Sequence, residues 1–107
     1  MSLIETQQLF AQLMGGLLTY IYAQGWAVTF GDFNRPDGHG HMADSLHYIR
    51  LAADLNLFVG GVYQTGDCPE WQQIGLFWTG LHYLARWGGN FEAKDCNHFS
   101  LEWEGRA

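Results

Sequence analysis

From Leu3 to Gln24 the apolar residues Leu3, Phe10, Leu13, Met14, Leu17, Leu18 and Ile21 recur at three- to four-residue spacing. That period predicts an amphipathic helix with one stripe facing a core. Ser2, with Glu5 three residues later, has the pattern of a capping box, and Gly25 is a natural stop. Gly15 and Gly16 each cost roughly 1 kcal/mol relative to Ala in a helix interior, so packing rather than propensity must hold this segment. The period then changes. Trp26 to Phe33 sets Trp26, Val28 and Phe30 against Ala27, Thr29 and Gly31, which predicts a strand leading into Asn34 and Arg35. Pro36 to Gly40 has no period and is rich in turn formers, so it is expected to be a surface loop.

Leu51 to Phe58 reads as a second strand bounded by Gly60 and Gly61, although Ala and Leu also favour a helix. As a strand it places Leu51, Ala53, Leu55 and Leu57 on an apolar face and Ala52, Asp54 and Asn56 on the other. Pro69 to Arg86 predicts a second helix, with Pro69 in the first turn and Glu70 near the positive end of the dipole. Its apolar face would be Trp71, Ile74, Trp78, Leu81 and Leu84 or Ala85, and Gly88 and Gly89 end it. Phe99 to Trp103 alternates again as a last strand, with His98, Ser100 and Glu102 on one face. The order helix, strand, strand, helix, strand gives an α+β fold, a small and mostly antiparallel sheet packed with two helices.

The chain of 107 residues fits one domain, and its 48% hydrophobic and 16% aromatic content suffices for a real core, which excludes general disorder. Five Lys and Arg stand against eleven Asp and Glu, and the basic residues are scattered. The net charge of -6 argues against nucleic acid or an anionic membrane as partner. Cys68 and Cys96 are too few for a disulfide scaffold and are expected to be reduced. The apolar N-terminal stretch is interrupted by Glu5, Thr6, Gln7, Gln8 and Gln12 and lacks the order of a signal peptide, so a cytoplasmic product is expected. No apolar run approaches the roughly 20 residues that span a bilayer.

Candidate chemistry concentrates in two segments. In Ser45-Leu46-His47-Tyr48-Ile49-Arg50-Leu51-Ala52-Ala53-Asp54, a carboxylate sits within an apolar run where burial without a partner is costly. It needs a cation, a metal or hydrogen-bond donors. The second segment, Asp95-Cys96-Asn97-His98-Phe99, again carries a carboxylate and an imidazole into a strand. Together they offer two His and one Asp as ligands and a spare carboxylate. That is the inventory of a catalytic zinc site with three protein ligands and an open water position, where a nearby carboxylate serves as general base.

Ser-x-His-x-x-x-x-Ala-x-Asp, followed about forty residues later by Asp-x-x-His-Phe after Trp-Gly-Gly, resembles the zinc D,D-carboxypeptidase and L-alanyl-D-glutamate peptidase family. That family includes the vancomycin-resistance dipeptidases and small phage endolysin peptidases and shares its fold with the hedgehog signalling domain. The likeness runs from Val28 to Glu102, and the leading helix also fits. It implies that His47, Asp54 and His98 bind zinc and that Asp95, where some members have Glu, is the catalytic base. It further implies that Arg35 helps polarise the scissile carbonyl and that Ser45 hydrogen-bonds near the ligands or the substrate. Trp87 precedes the base closely enough to form one wall of a substrate groove, or to be ordinary core.

Arg50 stands where the better-known family pattern has Gly, as in an Arg-Leu-Ala-x-Asp variant of short phage-encoded members, and Arg35 is followed by Pro36 rather than a small polar residue. The implied function is a monomeric, single-domain zinc peptidase acting on peptidoglycan stem peptides, with neither nucleic acid nor membrane as partner, after release from the cell or as a virion component. A non-catalytic, zinc-containing phage structural or wall-binding domain is the rival.

Other candidates have plainer roles. His39 and His41, flanked by Gly38 and Gly40, are expected in a loop, at most contacting substrate at the edge of a cleft, and His82 at the boundary of the second helix. Cys96 is a conceivable thiolate ligand, but a site served by Asp54 and two histidines does not need it. Trp71, Phe77, Trp78 and Trp103 are expected to be mostly core.

Overall fold

A computed structural model describes residues 1–31 and 46–107. The expectations for Arg35, His39, His41 and Ser45, and for the Pro36–Gly40 loop, lie outside the described residues. Helix α1 spans Leu3–Ala23, and the capping box forms as expected: the Ser2 hydroxyl accepts from the Glu5 N–H while the Glu5 carboxylate accepts from the Ser2 N–H. Its buried residues Thr6, Phe10, Met14, Leu17 and Ile21 follow the helical period.

After Gly25, at φ 85°, strand β1 (Ala27–Phe30) begins. A short 3-10 turn at Leu46–Ile49 precedes β2 (Ala52–Val59). Between them Arg50 takes φ 57°, a left-handed backbone. Gly60 and Gly61, both at positive φ, make a two-residue hairpin to β3 (Val62–Tyr63), a strand that the sequence pattern did not reveal because it is only two residues long.

Helix α2 spans Pro69–Leu81, five residues shorter than the predicted Pro69–Arg86. His82 is already extended, and Ala85–Trp87 forms strand β4. Pairing decides this: Ala85, Arg86 and Trp87 face Leu101, Ser100 and Phe99 of β5 (His98–Leu101), satisfying backbone groups along the ladder. The Trp78 indole N–H reinforces the change of course by donating to the Arg86 carbonyl at 2.9 Å and the Ser100 carbonyl at 3.2 Å.

The five-stranded sheet has the order β1-β2-β5-β4, with β3 added to β2, and its pairings are antiparallel. The architecture is α+β, as the pattern predicts. Leu51, Ala53, Leu55 and Leu57 have no exposed surface. Phe99 packs against Trp71 and Trp78, and Trp78 meets Phe10 edge to face, so both helices cover this face of the sheet. Because side chains alternate along a strand, Asp54 and His98 point to the opposite face. No described helix is long and apolar enough to cross a membrane.

Candidate metal centre

Three elements build the site. Asp54 is the third residue of β2, and His98 opens β5 directly opposite it in the antiparallel ladder. His47 comes from the 3-10 turn before β2, where the Leu51 N–H closes back on the Leu46 carbonyl and the Arg50 N–H on the His47 carbonyl. The left-handed Arg50 lets the chain reverse from this turn into β2. Glycine is the residue best suited to that conformation.

His47 Nε2 lies 3.4 Å from Asp54 Oδ1, and His98 Nδ1 lies 3.6 Å from the same oxygen. The ligand atoms of His47, Asp54 and His98 all fall within 4.8 Å of one another. Such separations are long for N–H···O bonds. They suit a shared ion better, since donors about 2.0–2.1 Å from a tetrahedral zinc stand roughly 3.3 Å apart. Both histidines are buried, at 3% and 7% exposure. Asp54 Oδ1 and His98 Nε2 are buried without a hydrogen-bond partner, a costly state that a bound ion would relieve at the carboxylate. The donor set of two imidazoles and a carboxylate fits zinc, though other divalent ions accept it too. Burial alone would raise the Asp54 pKa, but the two imidazoles facing it prevail and hold it down at about 2, so it is a ready anionic donor.

Asp95 is exposed and stands outside this three-atom cluster. Its N–H donates to the Gly88 carbonyl at 2.9 Å, and its own carbonyl accepts from the His98 N–H at 3.0 Å, so base candidate and ligand share one turn. It also borders a cleft of about 400 Å³ with Tyr63, Thr65, Trp71 and Lys94. Trp87 is not a groove wall: it is 3% exposed, packed against Gly75 and Gly89, with its indole N–H on the Cys96 carbonyl at 2.8 Å. Cys96 has a free thiol 3.8 Å from Asp67 Oδ1 and does not join the cluster, and Cys68 is also free.

Two glycines that the sequence pattern marked only as a strand position and a helix end border the site. A Cβ on Gly31 would press on the Asp54 carbonyl at 3.1 Å and its Cβ at 3.2 Å. One on Gly88 would meet the Asp95 carbonyl at 2.1 Å and the His98 Cβ at 2.9 Å. Phe91 packs beside His98, with ring centroids 5.4 Å apart. No protein-family model matches the chain, and no curated protein matches it.

Proposed function

We propose that the protein is a zinc-dependent peptidase that hydrolyses peptide bonds of bacterial peptidoglycan. The observation that carries the proposal is the convergence of His47 Nε2 and His98 Nδ1 on Asp54 Oδ1 from three separate elements. Bound zinc would act as a Lewis acid and lower the pKa of a coordinated water to about 7. His47, Asp54 and His98 would hold the ion. Asp95 takes the proton of the attacking water and returns it to the leaving amine. In the resemblance described above, Arg35 assists at the carbonyl oxygen.

The choice of peptidoglycan rests on that resemblance, and Asp95 in the place of Glu favours the endolysin-type L-Ala-D-Glu bond over D-Ala-D-Ala. A structural zinc site needs no carboxylate beyond its ligands, and Asp95, three residues before His98, favours catalysis over the wall-binding alternative. Incubating zinc-loaded protein with purified peptidoglycan and sizing the released fragments by mass spectrometry tests activity and bond together. Fragments ending at L-Ala support the proposal. Intact peptidoglycan alongside stoichiometric zinc would favour the non-catalytic alternative.

A further inference from the structure

We propose that Trp87 is a positioning residue for the metal centre, its indole N–H holding the Cys96 carbonyl and thereby fixing the turn that carries Asp95 and His98. The inference rests on the metal site proposed above. The indole ring lies between two glycines whose side chains it excludes: a Cβ on Gly75 of α2 would come within 2.2 Å of the ring, as would one on Gly89. Trp87 is therefore held from both sides by the backbone. Its N–H makes a buried bond of 2.8 Å to Cys96, the residue between Asp95 and Asn97.

From there the chain is tied at each step. The Asn97 carbonyl accepts from the Leu55 N–H, next to Asp54, at 3.0 Å, and the Asp95 carbonyl accepts from the His98 N–H at 3.0 Å. The backbone of Trp87 also pairs with Phe99 in the β4–β5 ladder. One side chain thus connects α2 to the loop bearing the base candidate and one ligand. Partners bonded directly to metal ligands set ligand orientation, and their loss costs about 10–100-fold in metal affinity or activity; Trp87 acts one step further back, through the backbone, so its effect is expected at the lower end of that range.

Trp78 supplies a matched control. It is fully buried and donates its indole N–H to two carbonyls, those of Arg86 and Ser100, but it makes no hydrogen bond to the 95–98 turn. Wild type, Trp87→Phe and Trp78→Phe are compared by zinc competition titration and by the visible absorption of the cobalt-substituted protein, at a temperature where each is folded. The expected result is about tenfold weaker zinc binding and shifted cobalt bands in Trp87→Phe alone, with both variants losing stability. Benzothienylalanine at position 87, which keeps the shape and lacks the N–H, gives the same readout if Trp87→Phe does not fold. Wild-type affinity and bands in the position-87 variants, or an equal change in Trp78→Phe, would overturn the inference while leaving the metal site intact. A wild-type protein that takes up no zinc would overturn the site and the inference with it.

Discussion

Asp54 and His98 face each other across the β2–β5 ladder, and His98 Nδ1 rests 3.6 Å from Asp54 Oδ1. Antiparallel pairing therefore sets two of the three donors before any ion arrives. Removing either should weaken zinc binding by more than about 100-fold, since even partners behind the ligands cost about 10–100-fold. Competition titration of Asp54→Ala and His98→Ala checks this. On the proposed peptidase reading, Asp95→Ala should retain wild-type zinc affinity and lose about 10²–10⁴-fold in peptide hydrolysis, the usual worth of a general base.

The depressed Asp54 carboxyl predicts an acid dependence of the metal-free protein. Its pKa falls from 3.8 to about 2 on folding, because the facing imidazoles outweigh the cost of burial. The unfolded chain then binds the proton more readily than the native one. Stability from this group is complete above its ordinary pKa and is lost as pH falls from about 4 through 2. The contribution is of order 2 kcal/mol. Urea unfolding of wild type and Asp54→Asn should differ most at pH 6, with the gap closing towards pH 2.

Arg50 carries the energetic cost of a left-handed backbone, roughly 1–2 kcal/mol for an L-residue. Glycine removes that cost but loses about 0.5–1 kcal/mol in unfolded-chain entropy. Arg50→Gly should therefore be neutral to stabilising by up to about 1.5 kcal/mol, as read from the denaturant midpoint.

Gly75→Ala should do the reverse of what helix propensity suggests. Alanine is better in a helix by about 1 kcal/mol, but its Cβ would enter the space of the Trp87 ring, at 2.2 Å. Overpacking of that kind costs about 1–3 kcal/mol, so a net loss of thermal stability is expected.

The two thiols should differ in reactivity. Burial, then the charge of Asp67, pushes the Cys96 thiol up, whereas Cys68 is partly exposed at the start of α2. Alkylation followed by peptide mapping should label Cys68 first.

Much of this was legible in the sequence, for reasons specific to each element. The α1 capping box and apolar stripe are local signals, and the alternation around Asp54 fixed which face the carboxylate occupies. The end of α2 was not legible, because Leu81 to Ala85 has helical propensity and only pairing of Ala85–Trp87 with β5 overrides it. Even there, Ala85, Arg86 and Trp87 alternate apolar, charged and apolar, a period of two. The pairing of Asp54 with His98 depends on a register between distant strands, which no local pattern encodes. The role of Trp87 was hidden for the same reason: its partners, Gly75, Gly89 and the Cys96 carbonyl, are brought together only by the fold.

Zinc stoichiometry combined with X-ray absorption at the zinc edge tests the centre most directly. One ion per chain, with two imidazole nitrogens at about 2.0–2.1 Å and oxygen ligands completing the shell, is the predicted result. A chain that binds no zinc, or holds it through sulfur, would contradict it.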